Sequence, residues 1–334
     1  MRAQLIDFTS TPQGGAEFQA GISRARDILD HGGLVATPTE TVYGLCADAK
    51  NDEAVAKIYT AKGRPSFNPL IAHVSDMEMA HSLVDLSPMA QKLAAAFWPG
   101  PLTIVAPERD TAQISPLARA GLCTLAVRLP AHPIMRALIS SLGRALVAPS
   151  ANRSGSLSPT TAEAVMEGLG AHIDAIIDAG PCEVGVESTI IKVAADQVTL
   201  LRPGGVSREQ IETLTGSAPS GPDKAKIEAP GMLASHYAPR APLRLNRDHA
   251  APGEAFLDFA GSIADTDQPA AYLDLSPSGN LAEAATNLFS YLRQLDILCQ
   301  RDNLRGIAAA PIPGDAIGEA INDRLARAAA PRND

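Results

Sequence analysis

Between residues 34 and 201 the chain repeats one pattern: a short apolar run, a polar turn, then a segment with helical spacing. Short apolar runs bounded by turn residues predict buried strands, and the intervening 3.6-residue periods predict helices. Strands are expected at 34–36, 69–74, 102–106, 124–129, 145–148, 175–178, 189–193 and 199–201. Phe18, Ile22, Ala25 and Leu29 recur at helical spacing, and Gly32-Gly33 supplies a stop. A helix is expected over 52–62, with Val55, Ile58 and Tyr59 inward and Gly63 ending it. Ser87-Pro88 is an N-cap and first-position pair for a helix through Trp98. Thr160-x-x-Glu163 and Ser207-x-x-Gln210 are capping-box patterns that open two more helices. Many short strands with helices between them imply an α/β domain with one substantial sheet.

The pattern breaks at 217–230 (SAPSGPDKAKIEAP), where Pro, Ser, Gly and charge leave little to bury. That composition reads as a linker. Beyond it, strands are expected at 242–246, 255–259, 271–275 and 307–310, with helices over 280–299 and 316–329. They form a second, smaller α/β domain, and no internal repeat links the two. A chain of 334 residues fits two domains.

Composition removes several classes of function. No apolar run approaches the ~20 residues of a membrane helix, and Met1 to Asp7 lacks the apolar region of a signal peptide. The formal charge is −9, with −5 before Pro222 and −4 after it. Neither half is basic, which argues against avid sequence-blind nucleic-acid binding, since that affinity comes from neutralising phosphates. Cys46, Cys123, Cys182 and Cys299 form no C-x-x-C pair, and the seven histidines form no H-E-x-x-H. Neither a disulfide framework nor a zinc ribbon follows, and a reduced cytoplasmic setting is expected.

The common nucleotide motifs are missing: no G-x-x-x-x-G-K-[ST], no G-x-G-x-x-G after a strand, and no G-x-S-x-G elbow. Polar clusters instead follow the predicted strands, where open α/β sheets hold ligands. Pro38-Thr39-Glu40-Thr41-Val42-Tyr43-Gly44-Leu45 offers hydroxyls and a carboxylate, or is a capped turn. Lys62-Gly63-Arg64-Pro65 sets two cations at a helix end, with Asn68-Pro69 and His73 beyond. The two cations could converge on one anion, or complement the helix dipole and stay solvated. Ala148-Pro149-Ser150-Ala151-Asn152, with Ser158 shortly after, could set donor and acceptor on one ligand, or be an ordinary turn. Arg128, Val186-Glu187-Ser188-Thr189 and Leu201-Arg202-Pro203-Gly204 complete the set.

Taken in order, P-T-E-T-V-Y-G-L, K-G-R-P, N-P-L-I, W-P-G-P-L-T, A-V-R-L-P, A-P-S-A-N, G-V-E-S-T-I and L-L-R-P-G closely resemble the YrdC/Sua5 family. The resemblance covers about residues 20–215. It continues through Ser235-His236-Tyr237-Ala238-Pro239 to a tail, Ala316-Ile317-Gly318-Glu319-Ala320-Ile321-Asn322-Asp323-Arg324, like that of the two-domain Sua5 form. It implies a YrdC-like twisted mixed sheet flanked by helices, plus a smaller Rossmann-like α/β C-terminal domain. The implied divisions are a catalytic domain over 1–215, a linker or lid over 216–241 and a C-terminal domain over 242–334.

The family's enzymes are L-threonylcarbamoyladenylate synthases. The resemblance therefore implies that L-threonine, bicarbonate and ATP give threonylcarbamoyl-AMP, pyrophosphate and water. The product serves N6-threonylcarbamoyladenosine formation at position 37 of ANN-decoding tRNAs. Lys62 and Arg64 match the residues that stabilise the polyphosphate. Asn68, Thr124, Ser150, Asn152, Ser158, Arg202 and Tyr237 match other ATP positions, Tyr237 as part of a lid. Thr41, His73, Arg128, Ala148 through its backbone, and Ser188 match the threonine positions. Mg²⁺ is expected with the triphosphate, held mostly by phosphate oxygens and water, with no protein-built metal site. The implied downstream partner is a threonylcarbamoyl transferase complex, with tRNA met only indirectly and no membrane. Two other readings stay open at this point: a non-catalytic RNA-binding or ribosome-assembly module, and carbamoyl transfer from carbamoyl phosphate. The acidic charge weighs against the first and the absence of paired cysteines against the second.

Overall fold

The computed structural model describes residues 2–194, 197–223, 228–231, 236–263 and 269–331. Ser235 and parts of the predicted linker lie outside the described residues. The chain divides into two compact units. The first takes Met1–Ser154, Pro159–Glu183 and Glu187–Met232; the second takes Gly155–Ser158, Val184–Val186 and Leu233–Asp334.

In the first unit the described strands are, in chain order, β1 (Gln4–Asp7), β2 (Val35–Thr37), β3 (Gly44–Asp48), β4 (Ile71–His73), β5 (Leu102–Pro107), β6 (Thr124–Arg128), β7 (Leu146–Val147), β8 (Ala175–Asp178), β9 (Thr189–Ala194) and β10 (Gln197–Arg202). They form one sheet in the order β1-β8-β2-β3-β7-β4-β6-β5-β9-β10. The sheet is mixed: β4 and β6 are parallel, as are β5 and β9, while β5 and β6 run antiparallel. The helices are α1 (Ala16–Asp30), α2 (Asp52–Lys62), α3 (Met77–Leu83), α4 (Pro88–Phe97), α5 (Pro116–Arg119), α6 (Pro133–Leu142), α7 (Ala162–Leu169) and α8 (Arg208–Thr215).

Side chains alternate between the two faces of a strand, so the register divides the core. One face carries Ala47, Ala72, Ile104, Val127 and Ile191 into the main core, where residues of α2 and α4 meet them. On the other face, Val35, Cys46, Leu146 and Ala175 pack under α1 and α6. Farther along that second face the apolar cluster shrinks to Ile71, Val105, Ala126, Ile190, Leu201 and Ala229, none of them helical. That part of the sheet carries polar side chains instead.

Helix starts follow local chemistry. The Asn51 side chain accepts from the N–H groups of Glu53 and Ala54 to open α2, and Gly63 closes it in the left-handed region at φ 59°. Ser87 caps α4 as expected, and the Ser207/Gln210 capping box is formed at α8. At α7 the predicted cap moves by one residue. Thr161, not Thr160, accepts the Ala164 N–H, because the Thr160 carbonyl is engaged by Cys182 N–H and keeps the chain extended there. Five elements fall outside the predicted segments: β1, β3, α3, α5 and α6.

The second unit holds a four-stranded, all-parallel sheet in the order β11-β14-β12-β13. Its strands are β11 (Leu243–Arg244), β12 (Ala255–Asp258), β13 (Ala271–Asp274) and β14 (Ile307–Ala309); α9 (Leu281–Asp302) and α10 (Gly318–Ala329) pack with it. No helix among the described residues is long and apolar enough to cross a membrane.

Candidate active site

The register gathers the predicted ligand residues on one sheet face rather than at strand ends alone. His73 on β4 pairs with Arg128 on β6, and Ile71 with Ala126. Ile104 on β5 pairs with Val127, which puts the neighbouring Thr103 opposite Arg128 and on its face. Ile190 on β9 pairs with Thr103 and with Arg202 on β10. His73, Thr103, Arg128 and Arg202 therefore leave the sheet on the same side. Thr124 shares that side, four residues before Arg128 and about 13 Å along the strand at ~3.3 Å per residue. It pairs with Pro107 and is half-buried.

Around Arg128 the contacts are dense. Its Nη2 donates to Glu40 Oε1 at 2.6 Å, its Nη1 to Thr41 Oγ1 at 3.0 Å and its Nε to the Gly100 carbonyl at 3.3 Å. Arg128 and Glu40 keep only 3% and 6% of their surface exposed. Burial raises the Glu40 pKa, but the charge and hydrogen bond of Arg128 outweigh it and hold the carboxyl below its ordinary value. Thr41 is fixed by Thr39, whose hydroxyl lies 2.8 Å from Thr41 Oγ1 and donates to the Val42 carbonyl. His73 is buried, with Nδ1 3.1 Å from the Ile71 carbonyl. Burial first, and the Arg128 charge second, push its pKa down to about 3. The ring is thus neutral near pH 7. Nδ1–H donates to Ile71, and Nε2 is left as an acceptor.

Ser188 and Arg202 form the next group. Arg202 Nη2 donates to the Ser188 carbonyl at 2.8 Å and to its hydroxyl at 3.2 Å, and Ser188 Oγ lies 2.8 Å from Thr103 Oγ1. Gly204 makes this possible: a Cβ there would sit 2.3 Å from Glu187 O and Thr189 N. Ala148 spends its N–H on the Ile71 carbonyl at 3.2 Å, so its backbone offers a ligand only the carbonyl.

The two cations of K-G-R-P are not solvated. Lys62 and Arg64 are buried at 3% and 9% exposure, which rules out the plain helix-dipole reading. Lys62 Nζ donates to the carbonyls of Ser150 and Asn152, each at 2.5 Å. Burial, then Arg64, hold its pKa well below the usual lysine range, against the pull of Glu187. Arg64 donates from Nε to Asn68 O at 3.2 Å and from Nη2 to Pro69 O at 2.8 Å. Asn68 is 1% exposed, and neither its Oδ1 nor its Nδ2 finds a hydrogen-bond partner among the described residues. A buried amide with both ends open is costly unless a ligand or solvent meets it.

Ser158 and Tyr237 belong to the second unit. Both are buried there, and the Ala238 N–H donates to the Gly155 carbonyl at 2.8 Å. Tyr237 has φ 62°, lies 5.4 Å from the Phe289 ring and has the Arg324 guanidinium 5.3 Å over its own. Thr103 is the residue that the motifs do not single out as a ligand group, whereas they offer Glu40 as the carboxylate of the 38–45 turn but give it no role. Glu40 lies inside P-T-E-T, and Thr103 betrays itself only once its strand register is known. No group of three or more His, Cys, Asp or Glu able to hold a metal ion occurs among the described residues. Apart from the Glu40 carboxylate, the donor groups gathered here are cationic or neutral.

The Sua5/YciO/YrdC family model, described as telomere recombination, matches residues 27–204. A second, the C-terminal domain of threonylcarbamoyl-AMP synthase, matches residues 206–330. The threonylcarbamoyl-AMP synthase of Bacillus subtilis is 40% identical, covering 93% of each chain. That of Pyrococcus abyssi is 38% identical over 91% of this chain and 92% of its own. The crystal structure of P. abyssi Sua5 complexed with L-threonine superposes with a TM-score of 0.86 at 34% identity, covering 97% of both chains.

Proposed function

Because the chain belongs to the Sua5 family of threonylcarbamoyl-AMP synthases and carries both of its domains, we propose that the polar face of β4, β5, β6, β9 and β10 is where it joins L-threonine, bicarbonate and ATP. The observation that carries this reading is the shared face itself. Arg128, His73 and Ser188 lie at one end of the β6 segment, with Thr124 at the other. A ligand touching both ends lies along the strand, as an amino acid joined through a carbamate to a nucleotide would.

The enzyme is a nucleotidyltransferase. Threonine nitrogen takes up the carboxyl of bicarbonate with loss of water, the new carboxylate attacks the α-phosphate, and pyrophosphate leaves. The protein's task is alignment and charge neutralisation. In this reading the Arg128 fork orients the threonine carboxylate, with Thr41 and Ser188 beside it. Neutral His73 accepts at Nε2, and the Ala148 carbonyl accepts from the amine. Lys62 and Arg64 meet the polyphosphate, with Lys62 released from the carbonyls of Ser150 and Asn152 that it now holds. Asn68, Thr124, Ser150, Asn152 and Arg202 complete the nucleotide contacts. Ser158 and Tyr237 enter on their motif match, Tyr237 as the residue that keeps water from the labile product. Magnesium bound to the triphosphate would supply further charge neutralisation. The product serves tRNA modification through a downstream threonylcarbamoyl transferase complex in the cytoplasm.

Pyrophosphate release from ATP, measured with threonine and bicarbonate each added or withheld, tests the reading. Release is expected only with both present. Release independent of either one overturns it.

A further inference from the structure

An amino acid arrives as a zwitterion, and the ligand groups assigned above provide charge for only one half of it. Arg128 suits the carboxylate. His73 is neutral, and the Ala148 carbonyl, the hydroxyls of Thr41 and Ser188 and the Asn68 amide carry no charge. A positive ammonium taken into a buried site needs an anion, because an unpaired charge there is expensive.

Glu40 is such an anion. It follows β2 within the 38–43 turn, is 6% exposed, and binds Arg128 through Oε1 alone. Its Oε2 is buried and completes no hydrogen bond among the described residues, although the backbone N–H groups of Glu40 and Ala131 lie near enough to the carboxyl to help lower its pKa. Its neighbour in sequence, Thr41, shares the same guanidinium. His73 feels the charges of both Glu40 and Arg128, so all three lie within electrostatic reach of one another. One carboxylate thus has one oxygen on the cation that would take the carboxylate of an amino acid, and a second oxygen open.

Resting on the threonine reading above, we propose that Glu40 Oε2 receives the α-ammonium of L-threonine, making Glu40–Arg128 a paired clamp for the two charges of the zwitterion. The contact outlasts carboxylation: the ammonium releases one proton to solvent, R–NH2 and HCO3⁻ then give R–NH–COO⁻ and water, and the remaining N–H still donates to Oε2. Glu40 therefore selects for an α-amino group, while Arg128 selects for the acid. Its second effect is to hold the guanidinium in place before substrate enters.

Calorimetric binding of L-threonine and of (R)-3-hydroxybutyrate tests the clamp; the second compound is the same acid with hydrogen in place of the ammonium. Wild type should bind threonine at least tenfold more tightly than the deaminated acid. Glu40→Gln should weaken threonine at least tenfold and leave the deaminated acid unchanged or tighter, since Arg128 loses a competitor. Equal losses for both ligands would mean that Glu40 acts only through Arg128, and the proposal falls. Glu40→Asp keeps the charge but withdraws the oxygen by one methylene, and should give the same ligand-dependent loss with the fold preserved. Equal affinity of the wild type for both ligands overturns the clamp without any variant. Failure of the wild type to bind threonine at all would instead overturn the site assignment beneath it.

Discussion

His73 and Arg128 are direct register partners on parallel strands, so a neutral imidazole and a buried guanidinium stand side by side on one sheet face. Arg128 helps to keep His73 unprotonated, and Glu40 keeps Arg128 from being an isolated buried charge. The consequences are measurable.

The first concerns pH. The folded-state pKa of His73, about 3, lies below its unfolded value of 6.5. Below pH 6.5 the unfolded chain takes a proton that the folded chain refuses, so stability falls as pH drops from 6.5 towards 3. The limiting slope is about 1.4 kcal/mol per pH unit. Glu40, also depressed, adds to the loss only below its ordinary carboxylate range, at 4.5. Thermal melts of wild type and His73→Gln between pH 7 and 5 should differ in slope, the variant being flatter; parallel curves would contradict the buried neutral ring.

Breaking the Glu40–Arg128 pair from one side should cost more than removing both members. Arg128→Met strands a buried carboxylate and is expected to destabilise by ~3–5 kcal/mol, whereas Arg128→Met with Glu40→Leu should recover much of that loss. Differential scanning calorimetry of the wild type, Arg128→Met, Glu40→Leu and the double variant closes the cycle.

Lys62 leads to a prediction about protons rather than rates alone. Burial and Arg64 hold its pKa down, and a triphosphate brought against it would raise that pKa. ATP binding should therefore be accompanied by proton uptake, seen as a dependence of binding enthalpy on buffer ionisation heat. Lys62→Met should lose that dependence and at least ~100-fold in kcat/KM, the scale of one missing charge-stabilising donor.

Gly204→Ala should be destabilising by about 1–3 kcal/mol, the usual cost of overpacking. The clash is with backbone atoms of Glu187 and Thr189, which cannot swing aside. Because Ser188 lies between them, threonine affinity should fall along with stability. Urea denaturation and a threonine titration on the same sample check both.

Much of the fold was legible because buried strands are written as apolar runs. The observed β8 coincides with the predicted 175–178, and α2 with 52–62. β3 escaped notice for a physical reason: Gly44-Leu45 reads as the end of a polar turn, yet all five residues from Gly44 to Asp48 are buried between β2 and β7. α6 has a clear apolar stripe in Ile134, Met135, Leu138, Ile139 and Leu142, but Pro130 and Pro133 at its start suggest a loop; Pro133 sits at the tolerated first position. Motif order pointed to Arg128 and Lys62 as ligand groups. It carried no trace of Glu40 Oε2 standing open, nor of Thr103 facing Arg128, because both depend on which strands become neighbours. Proximity of that kind is set by tertiary pairing, across 25 residues for Thr103 and Arg128 and 88 for Glu40 and Arg128, beyond the reach of local spacing.

The separation of Thr124 and Arg128 along β6 makes that strand a ruler. A strand can lengthen only in whole residues, and each added residue turns the side chains beyond it to the opposite face. The distance between the two ends of the polar face is therefore quantised, and drift in sequence cannot tune it by fractions of an ångström. Any tolerance for a larger or smaller ligand must come from the turns at its margins, the 38–43 segment above all, while the span between Thr124 and Arg128 stays fixed.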